Sequence, residues 1–294
     1  MNSPEQSQNR ARRSPRSRFK PQAEVRMRLE ERDEQLLCDL FLNRFMSREQ
    51  IQALYFTSLV RCNARLRQLF DHHFVARYYP PVSPFGAQAI YSVGKAALPL
   101  VSRRLEIDLP EVVRHYKRGK TPTFIEHTLA IVDIWLALRV AVAQREDVEL
   151  ESWLPEMLCR HEWEIRSANG GRWTKEAFKP DAFFRLAHRG EYSSYFVEVD
   201  LGHTSSRQLL GKLMTHGRYL ESGLFEQTYG PGEFKTLVVT TGKRRLENLR
   251  ALVGAHNSQL FWFSTMEAVE QGNCLNAVWC RPLSSDPVAL VQQG

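Results

Sequence analysis

Three carboxylates stand at the ends of two predicted strands in the second half of the chain. Asp181 opens one apolar run, and Glu198 and Asp200 end the next. Residues two apart on a strand project from the same face, so Glu198 and Asp200 share a face, and Asp181 joins them if it begins the neighbouring strand. Carboxylates hold hard cations such as Mg²⁺, which activate water and offset the charge on a phosphodiester. We predict these three residues as ligands for Mg²⁺ or Mn²⁺, if the protein is catalytic.

A polar face on the following helix adds side chains that such chemistry uses. Gln208, Lys212 and Tyr219 recur there at helical spacing. A lysine beside the carboxylates orients the attacking water or offsets phosphate charge, so Asp181, Glu198 and Lys212 are the predicted catalytic residues. Gln208, Tyr219 and Glu126, a fourth carboxylate, are accessory candidates, with His203 and His216 as weaker options for proton carriers. The alternative is that these acidic residues are solvated or cap elements, as strand-end carboxylates often do.

Strands that alternate with helices must position these groups, which predicts an α/β domain with one mixed sheet. A long helix is expected first, from about Thr123 to Gln144, and two more at Ser206 to about Ser222 and at Arg244–Val253. The sequence contains no glycine-rich phosphate loop. The predicted strands are His161–Arg166, Ala182–Ala187, Tyr195–Asp200, Thr236–Thr240 and Leu260–Phe263.

Three short helices and a hairpin precede this domain and predict a winged helix-turn-helix. Ser47 and Gln50 form a capping box before the second helix. The third helix is expected to enter the major groove, and the loop from Pro80 to Gly86 joins the two strands of the wing. The predicted DNA contacts are Arg61, Asn63, Arg65, Arg67 and Gln68 on that helix and Arg77 on the wing. The alternative is a solvated surface helix.

The charge and composition of the chain indicate its class of partner, its location and its organisation. The net charge is +7, and residues 1–20 hold six Lys/Arg against one Glu, which indicates a polyanion partner. The five cysteines are scattered without a C-x-x-C pair, which argues against zinc ribbons and disulfides and predicts a cytoplasmic location. The predicted organisation is a disordered basic arm (1–23), the winged helix (24–101), an irregular linker (102–121), the α/β domain (122–283) and a tail (284–294).

The chain resembles the replication-relaxation family of plasmids and other mobile elements. The resemblance rests on the winged-helix segment, on Glu126-His127-Thr128, on the segments 180–184 and 195–200, and on Lys212 downstream. The second domain also resembles the PD-(D/E)xK nuclease fold, whose pattern Asp181 and Glu198 match. Asp200 departs from that pattern, because the nucleases carry lysine there, and Lys212 is then a migrated replacement.

Two functions are the leading hypotheses, and a third possibility is a structural accessory of a relaxosome or replisome. The first is a DNA-binding protein that acts in replication, relaxation or transfer of a mobile element and hydrolyses phosphodiesters with Mg²⁺ as an endonuclease. The second is a non-enzymatic transcriptional or copy-number regulator, whose inactive nuclease-like domain serves dimerisation or partner contact. Candidate partners are double-stranded DNA, a relaxase or replication initiator, and a second copy of the chain. No membrane partner is expected.

Overall fold

The computed structural model describes residues 21, 27–79, 89–119, 121–166, 173–254, 259–284 and 286–291. The predicted basic arm, apart from Pro21, and the wing loop Pro80 to Gly86 lie outside these residues.

Helices and a small antiparallel sheet form the first part of the chain. The Ser47 side chain accepts a hydrogen bond from the Gln50 backbone N–H, and the Gln50 side-chain oxygen accepts one from the Ser47 backbone N–H, so the predicted capping box is present. The three strands lie in the order β1-β3-β2. The elements are α1 (Glu31–Leu42), β1 (Met46–Ser47), α2 (Arg48–Tyr55), α3 (Leu59–Asp71), β2 (Val75–Tyr78) and β3 (Ile90–Val93).

The expectation of an irregular linker at 102–121 is wrong, because this segment contains helices. Helix α4 (Leu98–Leu105) continues into this segment and α5 (Leu109–Tyr116) lies within it. Val112 and His115 are buried, and Val112 packs into the same core as α1 and α3. Only one short apolar face marks α5 among charged residues, so its burial against α4 stabilises a helix that its own sequence barely indicates.

The mixed α/β class is confirmed by the second part of the chain. A seven-stranded sheet has the order β12-β11-β10-β9-β8-β7-β4. Strands β8, β9 and β10 are parallel neighbours, and the other pairs are antiparallel. The strands are β4 (Val148–Pro155), β7 (Ala182–His188), β8 (Glu191–Asp200), β9 (Phe234–Thr240), β10 (Phe261–Thr265), β11 (Trp279–Cys280) and β12 (Pro287–Val288), and β5 (His161–Arg166) and β6 (Trp173–Phe178) form a separate ribbon.

Helices cover both faces of this sheet. Phe196 of β8 packs under α8 and α10, while its neighbours Val197 and Val199 pack under α6. This alternation is the period-two pattern of a strand buried on both faces. The helices of this part are α6 (Pro122–Ala143), α7 (Glu156–Cys159), α8 (Ser206–Glu221), α9 (Leu224–Tyr229), α10 (Lys243–Val253) and α11 (Met266–Gln271).

Helix α6 joins the two parts through two faces. Its residues Val132 and Trp135 pack into the core of the first part, whereas Ile134 and Leu138 pack against the large sheet. The predicted boundary at residue 121 therefore precedes a helix that belongs to both cores. Within the ranges that the structure describes, no helix is long and apolar enough to cross a membrane.

Candidate active site

Asp181 lies directly before β7, at the edge where β7 and β8 pair. Its backbone N–H donates to the Val197 carbonyl at 3.0 Å, and its Oδ2 accepts the Val199 N–H at 2.7 Å. The backbone of β8 thus fixes both the main chain and the carboxylate of Asp181. Its other oxygen, Oδ1, accepts a hydrogen bond from the Lys212 ammonium at 2.9 Å.

Glu198 lies two residues before the end of β8, beside Val238 of β9, and reaches the same ammonium. Its Oε2 forms an ion pair with Lys212, although the carboxylate itself is buried. Lys212 thus bridges the two carboxylates, and the predicted catalytic residues Asp181, Glu198 and Lys212 lie together. The Asp181 and Glu198 carboxylates therefore contact one and the same ammonium group.

Electrostatics in this cluster favour the charged forms. Burial raises the pKa of Asp181, but Lys212 and His127 outweigh burial and hold that pKa well below its ordinary value. For Lys212, burial disfavours the ammonium, yet Asp181 and Glu198 raise its pKa above the ordinary value. Asp181 and Lys212 are therefore both charged at neutral pH.

A buried histidine lies behind Glu198. The Nε2 atom of His216 is 2.7 Å from Oε1 of Glu198, and its Nδ1 is 2.8 Å from Oγ1 of Thr236 on β9. All three side chains are buried. A carboxylate only accepts, so Nε2 donates to Glu198, and Thr236 holds the other side of the ring. His216 therefore fixes the orientation of the Glu198 carboxylate.

His127 on α6 contacts the cluster from the opposite side of the sheet edge. Its Nε2 lies 3.0 Å from the Val199 carbonyl oxygen and 3.3 Å from Oδ2 of Asp181. Burial lowers the pKa of His127, but the Asp181 carboxylate outweighs it and raises that pKa to about 9. No role for His127 was predicted from the sequence, because the only signal was its place next to Glu126 on the long helix.

Asp200 lies apart from the other two carboxylates in its contacts. Its Oδ2 accepts from Nε of Arg245 at 2.6 Å and its Oδ1 from Nη2 at 3.3 Å. The same guanidinium donates to Oγ of Ser206 and to the Thr204 carbonyl, so it ties the connection between β8 and α8 to α10. Asp200 thus forms a structural ion pair where the nuclease pattern has lysine, and the structure does not bring it to the Lys212 ammonium.

The accessory candidates occupy other positions. Gln208 completes the capping box of α8 with Ser205, and Tyr219 is buried with its ring stacked on Phe178 at 4.1 Å. Glu126 is exposed and pairs with His203, with Oε2 and Nε2 3.1 Å apart. None of these contacts reaches Asp181 or Glu198, and each has a structural explanation.

The donor set fits a divalent cation held by two carboxylates. Mg²⁺ is commonly bound through one or two carboxylates and retains several waters. Asp181 and Glu198 supply such a pair, and each contacts the Lys212 ammonium, which takes the position of a counter-ion between them. Among the residues that the structure describes, no three His, Cys, Asp or Glu side chains form a metal-holding group. A bound ion would therefore complete its coordination with water and phosphate oxygens.

The predicted recognition helix α3 presents three of its polar residues to solvent. Arg61, Asn63 and Gln68 are exposed. Arg67 is engaged within the helix, because its guanidinium pairs with Asp71 through Nη2–Oδ1 at 2.8 Å and Nε–Oδ2 at 2.9 Å.

Two other predicted DNA contacts are tied to the fold. The Nε of Arg65 lies 3.0 Å from Oδ1 of Asp33, a fully buried carboxylate in the first turn of α1. The guanidinium of Arg77 on β2 lies over the Phe70 ring, 4.3 Å from its centroid. Arg65 therefore neutralises an internal charge and is not simply a surface cation.

Comparison with known proteins gives one family. No curated protein and no solved structure matches the chain. The model of the replication-relaxation family matches residues 37–233. The match runs from α1 to the residue before β9 and includes Asp181, Glu198 and Lys212, but not Arg245. Because it covers more than half of the sequence, the chain belongs to the replication-relaxation family.

Proposed function

We propose that this protein binds the DNA of a plasmid or other mobile element and hydrolyses phosphodiesters in it with the help of Mg²⁺. The family membership supports a role in replication or relaxation. The single observation that carries the hydrolytic part is the contact of Asp181 and Glu198 with one Lys212 ammonium. Two carboxylates and a lysine around one point form the minimal set for metal-assisted hydrolysis.

The roles of the side chains follow from their contacts. Asp181 and Glu198 would hold the ion, whose chemistry is to activate water and offset negative charge on the phosphodiester. Lys212 then pairs with the phosphate or orients the water, since its ammonium carries three donors on a flexible stem. His216 keeps the Glu198 carboxylate in place, and His127 does the same for Asp181.

The first part of the chain is the proposed DNA-recognition module. Its order of helices and strands, α1-β1-α2-α3-β2-β3 with the sheet order β1-β3-β2, supports the interpretation as a winged helix. Arg61, Asn63 and Gln68 on α3 then read base edges in the major groove, because arginine suits guanine and amides suit adenine.

A nicking assay tests the hydrolytic proposal. Supercoiled plasmid is incubated with the full-length protein and Mg²⁺ or Mn²⁺, and relaxed product is expected. Asp181→Ala and Glu198→Ala should each abolish nicking, whereas Glu162→Gln, an exposed carboxylate on the β5–β6 ribbon, should retain it. Nicking that persists in both site variants at the wild-type level would falsify the assigned roles.

A second candidate function is a non-enzymatic regulator. The observation that favours it is the bidentate pairing of Asp200 with Arg245. Asp200 occupies the position of the lysine in the nuclease pattern, and there it forms a structural ion pair. This function predicts specific operator binding without cleavage and no heat of Mn²⁺ binding by calorimetry. Asp181, Lys212 and Glu198 would then be a buried ion-pair cluster that specifies the fold.

A further inference from the structure

A polar cavity of about 270 Å³ lies beside the candidate active site. Arg44, His115, Arg118, Phe124 and Glu156 are among the residues that line it. Two guanidinium groups face one carboxylate, so the charge of the lining is positive. The cavity is outside the set of residues that the proposed hydrolysis uses.

Arg44 is held in this cavity by the backbone of α5. It has a φ of +71°, which is uncommon for a residue with a side chain. Its Nη1 and Nη2 donate to the carbonyls of His115 and Arg118, each at 3.0 Å, and its guanidinium lies 5.4 Å from the centroid of the Phe124 ring. The guanidinium has five N–H groups, so donors remain for a ligand.

His115 provides an independent sign of a ligand. The side chain is more than nine-tenths buried, and its Nε2 has no hydrogen-bond partner among the residues described. Buried polar atoms are normally paired, and an exception calls for a functional or solvent explanation. Burial and then the positive charges of Arg44 and Arg118 lower the pKa of His115 to about 4, so the ring is neutral, and a hydrogen bond with the Phe41 backbone raises that pKa only in part.

Arg118 supplies a cation that is available for pairing. Its side chain is exposed, and across the described ranges no ion pair engages its guanidinium. Arg44 and Arg118 together present donors that fit the oxygens of a phosphate group. Glu156 opposes an anion and leaves a net charge of one positive unit.

The cavity is close to Asp181 through two direct connections. The backbone N–H of Glu156 donates to the carbonyl of Asp181 at 3.0 Å. Phe124 lies one turn of α6 before His127, about 4.5 Å along the helix axis.

We propose that this cavity binds a DNA backbone phosphate one or two nucleotides from the phosphodiester held at Asp181, Glu198 and Lys212. The proposal rests on the proposed function for its source of phosphate. It gives the protein a second anchor on the strand, which sets the register of the scissile bond. The same donors would accept free inorganic phosphate, so the test separates the two sources.

The first measurement uses inorganic phosphate and the full-length protein. Spectra of ¹⁵N-histidine protein are recorded during a phosphate titration, and His115→Gln assigns the His115 signals among the nine histidines. The His115 signals are expected to shift, and Arg118→Ala should remove the shift. Arg114→Ala is the matched control, because Arg114 is exposed on α5, four residues before Arg118, and does not line the cavity.

The second measurement uses duplex DNA at several salt concentrations. Arg118→Ala should weaken binding and reduce the slope of log K against log salt by about 0.9, the value for one phosphate contact, more than Arg114→Ala does. This result supports the proposal. A phosphate shift with equal slopes for the two variants overturns DNA as the source and leaves a site for free phosphate. No shift and equal slopes overturn the site.

The two proposals fail in different ways. If the wild-type protein does not bind duplex DNA at all, the proposed function fails and DNA is overturned as the source, while the phosphate titration still decides whether the cavity is an anion site. If the protein binds and nicks DNA but Arg118→Ala matches Arg114→Ala in both measurements, only the cavity proposal is overturned.

Discussion

The Nε2 atom of His216 lies 2.7 Å from Oε1 of Glu198, and both side chains are removed from solvent. The carboxylate is thereby held between the imidazole on one oxygen and the Lys212 ammonium on the other. Because Thr236 also contacts the imidazole, a chain of three buried polar groups connects β9 to the site. The buried side chains of His216 and Thr236, and not solvent, therefore orient the Glu198 carboxylate.

Replacement of His216 tests this support. His216→Leu leaves one oxygen of a buried carboxylate without a donor, which should lower the free energy of unfolding by about 1–3 kcal/mol. His216→Gln keeps an N–H donor and should recover part of the loss. Urea unfolding followed by circular dichroism measures both. Equal losses for the two variants would mean that packing of the ring, and not its hydrogen bond, is what counts.

Lys212 is expected to stabilise the site more than an ordinary surface lysine does. Lys212→Met leaves Asp181 and Glu198 facing each other without the ammonium, so the pKa of Asp181 should rise and the protein should lose about 3–5 kcal/mol at neutral pH. The loss should shrink as the pH falls, because protonated carboxylates no longer need a cation. Lys175→Met, at an exposed strand position, is the control in the same unfolding measurement.

That prediction depends on contacts that the sequence indicated only in part. Asp181, Glu198 and Lys212 were predicted together because strand alternation and helix spacing are local rules. The partners of these groups come from far along the chain: His127 on α6 meets Asp181, and Arg245 meets Asp200. Local periodicity carries no information on which helix covers which strand end, so these pairs could not be predicted.

The strands were likewise predicted only in part from the local sequence pattern. The ribbon strand β5 was predicted with its bounds, and the predicted strands corresponding to β7, β9 and β10 differ from the observed ones by one or two residues. β4 and β6 were missed, because β4 alternates apolar and charged residues only over its first four positions and β6 has three polar residues in succession. Both depend on pairing with β7 and β5 for their strand structure.

The His127–Asp181 pair predicts a loss of stability at alkaline pH. The folded pKa of His127, about 9, is above its unfolded value of about 6.5. Its contribution is therefore fully present below pH about 6.5 and disappears as the pH rises through about 9. His127→Gln should remove this part of the pH dependence, which amounts to at most about 3 kcal/mol in the free energy of unfolding. Unfolding free energies at pH 6 and pH 9.5 provide the comparison, and a His127→Gln profile that parallels the wild type contradicts the assignment.

Because Asp200 pairs with Arg245, we predict that a lysine at position 200, as in the nuclease pattern, destabilises the protein. Asp200→Lys places a second cation against the Arg245 guanidinium in a buried position, so the free energy of unfolding should fall by about 3–5 kcal/mol. Nicking should not increase, since Lys212 already supplies the ammonium at the two carboxylates. Asp200→Asn is the milder control, which removes the charge but keeps the shape. A stable Asp200→Lys protein with faster nicking would show that Lys212 is not the replacement.

Arg61 and Arg65 should respond differently although they are four residues apart on α3. Arg61 is exposed, so Arg61→Ala should weaken duplex binding about 5–100-fold, the value of one base or phosphate contact, and leave the unfolding free energy within about 0.5 kcal/mol. Arg65→Ala strands the buried Asp33 carboxylate, so it should destabilise the fold by about 3–5 kcal/mol. Fluorescence anisotropy with duplex DNA and urea unfolding, both measured on each variant, separate the two effects. An Arg61→Ala protein with unchanged duplex affinity would remove this face of α3 from the DNA interface, whereas loss of binding by Arg65→Ala alone would reflect its unfolding and not a contact.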